Sequence, residues 1–200
     1  MSEQGSMHAY LHWTKERIDE MDAVLASLEA KAHTLQADSR KKADQFVQRL
    51  ARTRDEFKAA AKKQAEAGET AWQRAKPQME SLWTNFEAEV KTYFETFGKQ
   101  VEQQQATFQQ IAAAQAKAWQ KAAEEFQNSA AKMSASKRTE IDAAVRQMKV
   151  EAGKVEARLE KLKHAERESW SALSAALADS RRAFDKANQM TWDAYKRALG

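Results

Sequence analysis

Ile18, Met21, Leu25, Leu28, Ala32 and Leu35 recur at alternating steps of three and four, the spacing that keeps one stripe of a helix turned toward a neighbouring helix. From Phe46 the rhythm changes. Phe46, Leu50, Phe57, Ala61, Gly68, Trp72, Met79, Trp83, Val90 and Phe94 alternate by four and seven, an eleven-residue period. Eleven residues in three turns lies close to the natural helix repeat, so this section is predicted to be nearly straight or faintly right-handed. Ile141, Val145, Met148, Ala152, Val155, Leu159 and Leu162 return to heptads, and one stutter carries the seam to Trp170, Leu173 and Leu177. The pattern predicts an all-α chain.

The aromatic residues sharpen that picture. In ESLWTNFEAEVKTYFETFG, residues 80–98, Trp83, Phe86, Val90, Tyr93, Phe94 and Phe97 fall within an arc of roughly 100°, the width of a core-facing stripe. Glu80, Glu87, Glu89 and Glu95 border the arc against Lys91 alone. An acidic border repels phosphates and anionic headgroups. The rings therefore read as a packing seam comprising Trp72, Met79, Trp83, Phe86, Val90, Phe94 and Phe97, with Trp119, Trp170 and Phe184 in the second half of the chain.

The two halves resemble each other. At an offset of 98 residues, which is fourteen heptads, Asp44 meets Asp142, Val47 meets Val145, Leu50 meets Met148, Phe57 meets Val155, Trp72 meets Trp170 and Phe86 meets Phe184. Gly98 is the predicted turn, because glycine accepts the left-handed conformation that ends helices. Weaker interruptions are AEAGET at 65–70, Pro77 and NSAAKMSASKR at 128–138, where Asn and Ser compete for backbone hydrogen bonds. The expected organisation is a disordered 1–7, a helical unit at 8–97, a turn at 98–99 and a second unit at 100–199 interrupted at 128–138. The preferred architecture is a long helical hairpin with arms on the order of 135 Å. The alternative folds each arm over into an antiparallel four-helix bundle.

Composition supports helix and narrows function. Forty of 200 residues are Ala, and Gly and Pro together number six, so helix propensity is high nearly everywhere. No cysteine is present, which excludes disulfides and thiol chemistry. The N-terminal stretch has no apolar signal-like run and no apolar segment reaches transmembrane length, from which a soluble, cytoplasmic protein is expected. A net charge of +4 is spread through interleaved signs, the pattern of a solvated helix surface, so nucleic-acid binding is disfavoured.

Candidate chemistry is sparse. His8, His12 and Glu16 could share a helix face, but zinc requires a fuller ligand set, and exposed terminal histidines are the reading preferred here. Glu16 and Glu20, like Glu156 and Glu160, read as the polar face of a helix. No phosphate-binding glycine loop or nucleophile with a paired base appears, so no enzyme, cofactor, metal or small-molecule substrate is expected. In SRRAFDKANQMTWDAYKRALG, Arg181, Arg182, Lys186, Trp192, Lys196 and Arg197 form the one aromatic and basic segment that could lie on an anionic surface. Its other reading is a last bundle helix whose cations suit the helix dipole.

The stretches WTKERIDEMDAVLASLEAKAHTLQADSRKKADQFVQRL and GETAWQRAKPQMESLWTNFEAEVKTYFETF together resemble small bacterial coiled-coil stress-response proteins over roughly residues 10–98. That resemblance implies a soluble helical protein made under stress, with no chemistry to transfer. The chain is more loosely similar to phasins, the helical proteins that coat polymer granules. The functional expectation is a non-enzymatic structural or interaction protein that self-associates through its aromatic seam or binds a helical protein partner. The alternative is a peripheral binder of membrane or granule surfaces.

Overall fold

The computed structural model describes residues 3–67, 69–97, 101–165 and 168–199. These residues form six α-helices and no strands: α1 (Glu3–Ala32), α2 (Ala37–Ala67), α3 (Glu69–Phe97), α4 (Val101–Ala131), α5 (Ala135–Lys163) and α6 (Trp170–Leu199). The all-α bundle read from the sequence is therefore observed. Its arms are not. Each helix has 29 to 31 residues and spans roughly 45 Å, a third of the expected hairpin arm. The expected disordered segment 1–7 also differs, since α1 already runs from Glu3.

Local chemistry accounts for several of the breaks. After α1, the Thr34 hydroxyl and amide both donate to the Lys31 carbonyl, at 2.7 and 3.0 Å, satisfying an acceptor that the helix end would otherwise leave open. Between α4 and α5 the chain turns at 132–134, and Ser134 takes the extended conformation (φ −61°, ψ 153°) of an N-cap residue. Ahead of α6, the Ala172 amide donates to the Ser169 hydroxyl at 3.3 Å. The stutter before Trp170 is this connection between two helices, not a phase shift within one. Gly68 and Gly98, the two expected glycine breaks, lie outside the described residues. Pro77 does not interrupt α3, which runs through it with the proline exposed. An interior proline costs about 3 kcal/mol of helix stability, offset here by the burial of Trp72, Ala75, Met79 and Trp83 on the same helix.

Successive helices are antiparallel. Trp13 meets Phe57, Phe46 meets Tyr93 and Phe97, Lys149 reaches Gln127 and Arg197 pairs with Glu140, while Ser27 pairs with Thr107 across α1 and α4. Four helices, α1, α3, α4 and α6, form the centre. Helix α2 flanks it against α1 and α3, and α5 flanks it against α4 and α6.

The offset of 98 residues reappears in burial. In α1 and α4 the buried pairs include Tyr10 and Phe108, Met21 and Trp119, Leu28 and Phe126, and Ala32 and Ala130. In α2 and α5 they are Ala43 and Ile141, Val47 and Val145, Leu50 and Met148, and Ala61 and Leu159. In α3 and α6, Ala75 matches Leu173, Met79 matches Leu177, Phe86 matches Phe184 and Phe94 matches Trp192. Helices α1–α3 and α4–α6 are thus two units of one burial plan, joined chiefly where α1 packs along α4. Because Phe86 and Phe184 are fully buried equivalents, Phe86→Ala and Phe184→Ala are each expected to cost about 3–5 kcal/mol. Urea unfolding followed by circular dichroism checks this, and a loss confined to one of the two would break the equivalence.

Candidate functional site

The aromatic seam lies inside the chain. Trp72, Met79, Trp83, Phe86, Val90, Phe94, Trp119 and Phe184 are buried, and Phe97 and Trp170 are partly buried against the core. Their partners are other rings of the same chain: Trp72 faces Tyr10 at 3.8 Å, Phe94 faces Trp170 at 4.3 Å and Trp119 faces Phe184 at 5.2 Å. Most of the seam is packed within one chain, and Trp83, Phe86, Val90 and Trp170 also border a groove between α3 and α6.

The unexpected feature is a charged layer across the central helices. Arg17 on α1 and Arg181 on α6 are only 6% and 7% exposed, and Glu16 and Glu20 on α1 are 0% and 1% exposed. Arg17 grips Asp185 with both terminal nitrogens, at 3.0 and 2.8 Å, and donates to Glu16 at 2.5 Å. Arg181 Nε lies 3.2 Å from Glu20 and its Nη2 lies 2.7 Å from Glu87. The Gln115 amide donates to Glu20 at 2.9 Å and to the Leu177 carbonyl at 3.1 Å. Between the guanidiniums stands the Trp83 ring, 5.9 Å from the Arg17 head and 4.8 Å from the Arg181 head, where its π face favours cations. Arg17 also sits 4.5 Å over Trp13.

The layer occurs where the apolar core divides. On α4 one apolar cluster ends at Ala112 and the next begins at Trp119, with Gln115 between; on α6 they end at Leu177 and begin at Phe184, with Arg181 between. Four carboxylates face two guanidiniums, so full ionisation would leave excess negative charge on the layer, although Glu87 and Asp185 keep 40% and 33% of their side chains exposed. Burial pushes the Glu16 carboxyl well above the ordinary carboxylate range, the Arg17 guanidinium opposing and the Glu20 and Asp185 charges adding. Burial also raises Glu20, against the pull of Arg181, Arg17 and the Gln115 amide. Glu16 Oε1 has no hydrogen-bond partner, which costs a buried ionised oxygen more than a protonated one.

Beside the layer, α3 and α6 leave a groove of 390 Å³ lined by Trp83, Phe86, Val90, Trp170 and Leu177 and reaching Arg181. The layer's acids and bases face one another, so its chemistry is charge compensation. Among the described residues no three His, Asp or Glu side chains gather as metal ligands. His12 is buried 3.3 Å from Glu125 and packs on Phe126, correcting the expectation of an exposed terminal histidine, while the His8 side chain lies outside the described residues.

The basic C-terminal segment separates into two faces. Arg181 and Trp192 are buried and cannot form a surface contact. Arg182, Lys186, Lys196 and Arg197 are exposed, with Arg182 paired to Asp179 and Arg197 to Glu140. Sequence reasoning missed Arg17, Glu20, Glu87, Gln115 and Asp185, and it read Glu16 and Glu20 as a solvated face. A signal was present: Tyr10, Arg17 and Val24 step by seven, placing Arg17 at a core position. Comparison of the chain with protein-family models, with curated proteins and with solved structures finds no match.

A carboxyl whose folded pKa is raised contributes stability that is complete below its unfolded value, 4.5 for Glu16, and is lost as pH rises through the folded value. Glu16→Gln is therefore expected to raise the melting temperature at pH 8 by about 2–6 °C and to leave it within about 1 °C of the parent at pH 4.5. Parallel melting curves across that range would show that Glu16 does not carry the excess proton.

Proposed function

We propose that this chain is a non-enzymatic helical interaction protein that self-associates. The observation that supports this reading is that the charged layer's acids and bases pair with one another, whereas grooves between helices, lined largely by apolar side chains, stay open at the surface. Large apolar side chains also stand exposed at Leu11, Val150 and Met190. The stress-related setting rests on the resemblance of residues 10–98. No described helix is long and apolar enough to cross a membrane. Because most of the aromatic seam packs within the chain, this reading assigns pairing to the open grooves, one of which is bordered by the seam residues Trp83, Phe86, Val90 and Trp170.

A second reading, attachment to an anionic membrane or granule surface, draws on exposed Arg182, Lys186, Lys196 and Arg197. The burial of Trp192 withdraws the ring that would have inserted among lipids. Sedimentation equilibrium of the full chain is expected to give a species of twice the 22.7 kDa chain mass whose fraction rises with concentration. A mass of one chain throughout the micromolar to millimolar range would refute self-association, and pelleting with anionic vesicles at low salt would favour the second reading instead.

A further inference from the structure

The two units differ most plainly on their outer faces. In the first, the surface between α2 and α3 is filled: Phe46 stands edge-on to Tyr93 at 6.1 Å and to Phe97 at 5.8 Å. Arg49 lies over the Phe46 ring at 4.2 Å and reaches Glu89 at 3.5 Å. Moving on by 98 residues replaces Phe46 with Ala144, Arg49 with Gln147, Glu89 with Ala187 and Thr92 with Met190. A ring, a guanidinium and a carboxylate are all missing. What remains between α5 and α6 is a trough of 660 Å³ floored by Ala144, Met148, Ala183, Ala187 and Ala194. Met190 stands on it with 52% of its surface exposed.

The walls of this trough carry opposite charges. Glu140 and Glu151 line it from α5, and Lys186 and Arg197 line it from α6. Asp193 also lies on the α6 side, where Gln189 donates to it at 2.9 Å. Because α5 and α6 are antiparallel, Glu140 sits level with Arg197, which it pairs at 2.5 Å, and Glu151, paired to Lys154 of its own helix at 2.8 Å, sits level with Lys186 across the trough.

We infer that the occupant of this trough is the same face of a second copy of the chain, related by a two-fold axis running parallel to α5 and α6. That axis sets the α5 of each copy against the α6 of the other at the same height, so each acidic wall meets a basic wall and each Met190 meets the partner's alanine floor. A two-fold axis perpendicular to the helices would instead set acid on acid and base on base, which like-charge repulsion disfavours. The footprint, about three turns of two helices or roughly 18 Å in length, falls short of the roughly 800 Å² per partner of a standard stable interface. The dimer is accordingly weak and concentration-dependent.

This inference rests on the self-association proposed above, and charge exchange separates the two. One variant makes both walls acidic (Lys186→Glu with Arg197→Glu), and another makes both basic (Glu140→Lys with Glu151→Lys). All four positions lie at the surface, and circular dichroism verifies that both variants keep their helices. By sedimentation, each variant alone is expected to dimerise at least about tenfold more weakly than the parent, and an equimolar mixture is expected to regain association within about threefold of it. A parent that stays monomeric overturns both self-association and its location. A dimeric parent whose variants dimerise equally well, alone and mixed, overturns only the assignment to the α5–α6 face.

Discussion

Two guanidiniums held out of water must be answered by carboxylates at hydrogen-bond distance, and the arrangement of the bundle's centre follows from how Arg17 and Arg181 meet that demand. Burying an ion costs several kcal/mol that only close, well-directed partners offset. Arg17 has Glu16 of its own unit, and the remaining carboxylate partners come from the opposite unit. Arg17 of the first unit takes Asp185 of the second, and Arg181 of the second takes Glu20 and Glu87 of the first. Neither three-helix unit can satisfy its own arginine fully, so the layer is stabilised only when the two units are joined.

The repeat makes this asymmetry visible. At the offset that aligns the cores, Arg17 corresponds to Gln115, Glu20 to Ala118 and Trp83 to Arg181. Many core positions are kept as apolar pairs, whereas in the layer Glu16 and Glu20 meet Ala114 and Ala118, Trp83 meets Arg181, and the acids Glu87 and Asp185 are equivalents of each other. The same division shapes the outer faces, where the first unit fills its surface with Phe46 and Arg49 and the second leaves an alanine floor. One plan therefore yields a joining layer inside and an open surface outside.

Much of the fold was legible. Heptads, alanine content and the 98-residue offset led to an all-helical chain with a repeated burial pattern, and the aromatic stripe marked the core. Helix reversals were less legible because the two helices of an antiparallel hairpin both present stripes to one core. The eleven-residue run from Phe46 to Phe94 therefore reads as one helix although it crosses from α2 to α3. Leu35 continued the stripe of α1 only because it packs on the core from the turn. The charged layer escaped notice for a different reason. Helix α1 touches α2, α3, α4 and α6, and a helix surrounded in this way buries charged residues that a one-sided stripe would assign to solvent.

The cross-paired layer is what unites the two halves, and the interaction between Glu20 and Arg181 isolates it. A double-mutant cycle with Glu20→Leu and Arg181→Met, read by urea unfolding, is expected to give a coupling above about 1.5 kcal/mol, because each single change takes a charged partner from a buried ion that the double change removes as well. Additive costs within about 0.5 kcal/mol would mean that the two charges do not depend on each other, and the layer could not then be what joins the units.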